Sequence, residues 1–173
     1  MLSFIRKWMK RKDGSTAIEF SMLLIPYITL SLGIMEISLM FMSASLLEGA
    51  TDSAARLVRT GQIQQGAGDP ETVFRQALCD YATVLVRCDD MIIEVTTLNN
   101  YTDYTPPTYD VNGDMVTAGF NAGGSNDKVL IRVAYRYSMM TPLVGPLLNG
   151  PDGSTLFVST IVLQTEPYEF QGV

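Results

Sequence analysis

From Phe20 to Leu47 the chain reads FSMLLIPYITLSLGIMEISLMFMSASLL, 28 residues whose only charge is Glu36. About 20 apolar residues span a hydrocarbon core of ~30 Å, so this run predicts one membrane-crossing helix with residues to spare. Pro26 lies inside it. A membrane helix tolerates proline, with a kink, although the carbonyl of Met22 loses its helical donor. Gly33 is a second soft point. Ser31, Ser38, Ser43 and Ala44 either admit another helix closely or are ordinary membrane-helix residues. The helical spacing continues past the run, where Ala50, Ala54, Leu57 and Val58 recur at i, i+4, i+7 and i+8. Arg56 and Arg59 suit the negative end of a helix dipole, and Gly61 suits a helix stop. The expected helix runs from about Thr16 to Thr60 and is roughly 65 Å long at 1.5 Å per residue. That is about twice the bilayer core, so half stands in the membrane and half projects from it.

The pattern then changes. Ile63 to Asp69 reads as a Gln/Gly connector. Asp69-Pro70-Glu71 reads as a helix start, with a cap, a proline at the first position and an acid in the first turn. Phe74, Ala77, Leu78, Tyr81 and Leu85 continue a helical stripe. Period-two alternation then marks three strands: Met91–Leu98, Lys128–Met139 and Ser154–Thr165. In the second, Val129, Ile131, Val133, Tyr135 and Tyr137 share one face, and Arg132 and Arg136 the other. Gly145-Pro146 and Asn149-Gly150-Pro151 punctuate the last link, whose shortness favours antiparallel neighbours. The expected fold class is α+β: a long N-terminal helix, then a small helix-plus-antiparallel-sheet head over residues 62–173. Residues 99–127 form a long polar loop, a kind often functional. Its Tyr101, Tyr104 and Tyr109 either build a contact surface or pack locally. Asp110, Asn112 and Asp114 have the odd spacing of a calcium loop. The glycine falls at Gly113 instead of position 115, and Asn121 stands where that loop needs glutamate. An Asn-Gly hairpin turn at Asn112–Gly113 explains the stretch better, and no metal or cofactor is expected.

Charge sharpens this picture. Of 12 Lys/Arg, five precede residue 13: Arg6, Lys7, Lys10, Arg11 and Lys12. Of 18 acids only Asp13 precedes residue 15, so seven basic side chains face 17 acidic ones in the rest, a net of −10. An acidic body repels nucleic acid, which is set aside as a partner. The basic cluster before the apolar run, with Glu48 and Asp52 after it, places the N-terminus in the cytoplasm and the head outside it. A secretory signal has the same basic start. Its apolar region is about 7–15 residues, however, and this one is nearly twice that, so cleavage at the small residues Ser43–Ser45 is not expected.

The chain has no histidine. That removes the commonest general base and metal ligand. No paired-carboxylate or nucleophile motif argues for an enzyme. Cys79 and Cys88 are too few for a zinc site. On one unbroken helix their Cα atoms would lie about 13.5 Å apart, and a disulfide needs less than ~7 Å. A bridge therefore requires the chain to turn back between Tyr81 and Arg87. An oxidising compartment beyond the membrane favours that bridge, and Cys79–Cys88 is expected to be oxidised.

The stretch KRKDGSTAIEF, Lys10 to Phe20, resembles the leader junction of a type IV pilin-like protein. More narrowly, the chain looks like a TadE-like minor pseudopilin of the tight-adherence (Tad/Flp) pilus system. AARLVRTGQ (Ala54–Gln62), the Cys79/Cys88 pair, RVAYRY (Arg132–Tyr137), TPLVGPLL (Thr141–Leu148) and TEPYEF (Thr165–Phe170) are similar to elements of that family in order and spacing. The resemblance implies a basic leader over residues 1–14 and a long helix over 15–61. Gly14 matches the last leader residue, Ser15 the new N-terminus, Glu19 the pilin glutamate and Phe20 the aromatic after it. Where many pilins place a bulky apolar residue after the cut, this chain has Ser15. The implied enzyme is a membrane prepilin peptidase at the cytoplasmic face. The implied partners are other pilin-like subunits and the pilus assembly platform. Two other readings stand beside this one: a minor pseudopilin of a type II-like secretion apparatus, and a single-pass envelope protein that keeps its N-terminus.

Glu19 has a physical task on this reading. Cleavage leaves an α-amine at Ser15, mostly positive near neutral pH. Glu19, one helical turn on, offsets that charge, and two opposite charges at membrane depth cost less than either alone. Alternatively, Glu19 only starts the helix, where acids are favoured. Glu36 lies about 30 Å further along by helical rise. It either reaches the outer headgroup region or makes a polar contact to a partner helix.

Overall fold

The computed structural model describes residues 13–82, 85–141, 145 and 153–168. The basic run before Asp13, most of the segment Thr141–Leu148, the Asn149-Gly150-Pro151 turn and the end of TEPYEF lie outside the described residues. The first described element is a continuous helix, α1, Asp13–Arg59, 47 residues and about 70 Å long. It is followed by a short helical turn, α2, Gln62–Gln65, and by α3, Pro70–Ala82. Three strands complete the head: β1 Met91–Leu98, β2 Lys128–Ser138 and β3 Ser154–Gln164. They form one antiparallel sheet in the order β1-β2-β3. The α+β class and the three strands are those the period-two pattern predicts.

Two details of the chain path differ from expectation. The connector after α1 is partly helical, and Ile63 from it is buried. Helix α3 ends at Ala82, so Leu85 lies beyond it and the chain turns through residues 85–87 into a single helical turn at Cys88–Asp90. That early end brings Cys88 back beside α3.

The core is built on the second half of α1. Leu47, Ala50, Ala54 and Val58 are buried against Phe74, Leu78 and Ala82 of α3 and against Val129, Ile131, Val133, Tyr135 and Tyr137 of β2. With Glu36 and Ser43 these α1 residues follow the 3.6-residue period that defines one helix face. Ser43, Ala50 and Ala54 among them are small, so α3 and the sheet approach closely. Gly49 shows how closely: a Cβ there would lie 2.9 Å from the Tyr81 ring of α3. Gly61 ends α1 with φ 74°, a left-handed conformation that glycine adopts without strain. The Tyr168 ring lies against its open side.

Strands and helix run alongside one another. The end of β2 meets α1 at Glu36. At the other end, after β3, the Glu166 N–H donates to the Arg59 carbonyl at 2.8 Å, and the two side chains approach to 3.4 Å. The β2–β3 end of the sheet therefore sits at Glu36, and the opposite end sits where α1 stops.

Residues 99–127 fold onto the second face of the sheet. The Arg132 guanidinium is buried there, donating to Glu94 Oε2 at 2.8 Å and to the Thr105 carbonyl. The Tyr104 ring lies over it at 5.3 Å. Residues 119–121 close the free edge of β1. The Val95 N–H donates to the Gly119 carbonyl at 3.0 Å, and the Asn121 N–H donates back to Val95 at 2.7 Å. Tyr109 and Met115 pair across a hairpin whose loop carries Gly113 at φ 75°. The Asp110 carboxylate accepts the Asn112 and Asp114 amides at 2.9 and 2.8 Å. Those amides, Asp114's first, hold its carboxyl below the usual aspartate range. The hydrogen-bonded turn runs from Asp110 to Gly113, with Val111 and Asn112 at its centre, so it sits one residue earlier than the expected Asn112–Gly113 turn, and Asp110 closes it.

Candidate functional site

Among the described residues, α1 is the one helix long and apolar enough to cross a membrane. Its two halves differ in what surrounds them. From Ile18 to Met35 the large apolar side chains Ile18, Phe20, Met22, Leu23, Ile25, Tyr27, Leu30, Ile34 and Met35 are exposed on all sides. Hydroxyls in this half are satisfied within the helix. Ser21, Thr29 and Ser31 donate to the carbonyls four residues back at 2.7, 2.9 and 2.8 Å. In hydrocarbon, where water supplies no partner, this internal bonding is what lets such residues be tolerated.

The residues expected from the sequence to form a leader junction lie at the start of this half. Gly14 is exposed, and a Cβ built on it would meet nothing within 4 Å. Helix α1 already includes Asp13, Gly14 and Ser15, three residues earlier than the expected start at Thr16. Glu19 and Phe20 are exposed, four and five residues beyond Ser15. The structure thus places Ser15 and Glu19 one helical turn apart.

Glu36 marks the change between the halves. It is 1% exposed, and both carboxylate oxygens are filled from the head. Oε1 accepts the Tyr137 hydroxyl at 3.0 Å and the Met140 N–H at 2.9 Å. Oε2 accepts the Thr141 N–H at 3.0 Å and the Thr141 hydroxyl at 2.9 Å. Backbone amides only donate, so the site fits an acceptor-only carboxylate. Burial first, and then the neighbouring carboxylate, push the Tyr137 hydroxyl up to about 12, which keeps it a donor. The sequence offered two partners for Glu36, a headgroup or another helix. The structure supplies a third, the protein's own sheet. The signal was present, since Glu36 is the only charge in the apolar run, but its partner lies 101 residues away in sequence.

Cys79 and Cys88 are bridged, with Cα atoms 5.6 Å apart across nine residues. The bridge ties the end of α3 to the entry of β1. Arg75 reaches the same place, donating to the carbonyls of Cys88 and Met91 at 3.4 and 3.2 Å. The buried Glu94–Arg132 pair was missed from sequence. Antiparallel register sets these two residues directly opposite on one face of β1 and β2, which is the signal that could have found them. Among the described residues no group of three or more His, Cys, Asp or Glu side chains is placed to hold a metal ion.

Comparison with known proteins adds one finding. The model of the family described as TadE-like protein matches residues 14–56, about a quarter of the chain. The match starts at Gly14, ends within α1 and takes in none of the sheet. No curated protein and no solved structure matches the chain. The match covers most of both halves of α1 and the Glu36 handover between them, and over residues 14–56 the chain is similar to the TadE-like family.

Proposed function

We propose that the chain is a structural pilin-like subunit, a minor pseudopilin that acts in assembling or initiating a Tad/Flp-type pilus at the inner membrane. It is made with a leader over residues 1–14, which a prepilin peptidase removes between Gly14 and Ser15 at the cytoplasmic face. The anchor then begins with an amine at Ser15, and Glu19 offsets that charge within the subunit or from a neighbour. The head stands on the periplasmic side, where the Cys79–Cys88 bridge is stable. Its partners are other pilin-like subunits and the assembly platform.

The observation that carries this reading is the TadE-like match beginning at Gly14, the residue where the leader would end. The architecture supports it: one long helix is anchor in its first half and core of the head in its second. The test is to coexpress the chain with a prepilin peptidase and determine its N-terminus by mass spectrometry. A chain beginning at Ser15, and uncut in Gly14→Val, is expected. An intact Met1, or a start near Leu46, overturns the proposal.

A further inference from the structure

The apolar surface of α1 does not stop all round at Glu36. On the side away from the head, Ile37, Phe41 and Met42 remain exposed, and polar residues take over from Ser45, Glu48 and Asp52. Glu36 to Met42 is a rise of about 9 Å. The base of the head at Glu36 is thus level with the last two apolar turns of the helix. Thr16 to Met42 spans about 40 Å by the same rise, a bilayer core plus part of its headgroup layer.

At that base the residue after Met139 is Met140, 64% exposed, with its N–H held by Glu36. From Tyr137 to Thr141 the sequence carries no charge. The nearest arginines, Arg87 and Arg136, are paired with Asp90 and Asp114, so the base has no surplus of positive charge. Charged groups lie at both ends of the sheet: Arg87, Asp89, Asp90, Asp114 and Arg136 line one surface beside Ser138, and at the opposite end Arg59 meets Glu166 and Asp127 and Lys128 lie.

We propose that the base of the sheet is a second membrane contact, in which Met140 enters the outer interface of the bilayer that α1 crosses. The occupant is a lipid surface. It is argued from the continuity of Met140 with the exposed apolar turns of α1, both fixed at one level by Glu36. An apolar side chain at this depth is buried among headgroups and upper acyl chains, as in other interfacial contacts. The head is then held at two points and its tilt is set. Because the basic side chains are paired, the contact depends on apolar insertion and not on anionic lipid. This inference rests on reading α1 as membrane-spanning.

The test uses the full chain in phosphatidylcholine nanodiscs containing a lipid with a nitroxide high on its acyl chain. Single cysteines carrying a bimane are introduced by Met140→Cys, Leu23→Cys and Ser53→Cys, with the native cysteines left bridged. The Met140 side chain makes no hydrogen bond to Glu36, so its replacement keeps the clamp. Lipid quenching at Met140→Cys comparable to that at Leu23→Cys, with aqueous iodide alone quenching Ser53→Cys, is the expected result. Quenching of Leu23→Cys by lipid and of Met140→Cys only by iodide overturns the second contact and leaves the anchor standing. Loss of lipid quenching at Leu23→Cys overturns the anchor, and the second contact with it.

Discussion

The two halves of α1 share a helix and a single family match, yet they do opposite things with their side chains. Ile18 to Met35 presents bulky residues outward on every side. From Glu36 onward a narrow stripe of mostly small residues, Ser43, Ala50, Thr51 and Ala54, turns inward and is fully buried. A helix that is apolar all round needs an apolar solvent, and a striped one needs a packed partner. The lesson is that side-chain size, more than hydrophobicity, marks where an anchor becomes a core. Small residues let backbones approach, and Tyr81 over Gly49 is the closest case.

The largest expected difference comes from cutting the same side chain in each half. Leu47→Ala empties a site that is 1% exposed and should cost the head about 2–5 kcal/mol. Leu23→Ala, on the exposed half, should change head stability by less than about 0.5 kcal/mol. Denaturant unfolding of the full chain in detergent micelles, followed by near-UV circular dichroism, reads both. Equal losses would mean that the halves are not distinct.

The handover residue comes next. Glu36→Ala leaves the Tyr137 hydroxyl and the Met140 and Thr141 amides without their acceptor. A loss of about 2–3 kcal/mol is expected by the same measurement. Ser38→Ala, two residues away, removes only a hydroxyl bonded to its own helix at 2.8 Å, and should be near neutral. A silent Glu36→Ala would remove the clamp from the account.

Much of this was legible in the sequence, for physical reasons. Alternation in Val129, Ile131, Val133, Tyr135 and Tyr137 sets one face of β2 toward the helices, and the structure buries all five. Asp69 caps α3 as its spacing predicts, accepting the Thr72 N–H at 3.0 Å and the Thr72 hydroxyl at 2.7 Å. Illegible was whatever depends on distant pairs. Glu36 meets Tyr137 and Arg132 meets Thr105 only after the sheet has formed. Periodicity is a local signal and carries no information about such partners. For the same reason residues 99–127 read as a bare loop, although Glu94 and Arg132 give them something to fold onto.

The smallest effect is absent at neutral pH. Tyr137 titrates at about 12 in the folded head, against 10.0 for an ordinary tyrosine. Its raised value means that the native state holds this proton more tightly. The associated stability is fully present below pH 10 and is lost as pH rises toward about 12. Alkaline unfolding curves should show that loss in the native chain, and Tyr137→Phe should flatten it. An unchanged profile in Tyr137→Phe would assign the alkaline loss to other groups and loosen the link between Glu36 and the sheet.

The central claim is that one helix passes from bilayer to head around Glu36. Labelling by a membrane-impermeant thiol reagent tests it most directly, using single cysteines along α1 of the full chain in nanodiscs. The native cysteines are bridged and do not react. Cysteines at Leu23, Leu30 and Met35 should resist the reagent, and those at Ser45, Asp52 and Arg56 should react. Reaction at Leu30, or resistance that continues through Asp52, would contradict the account.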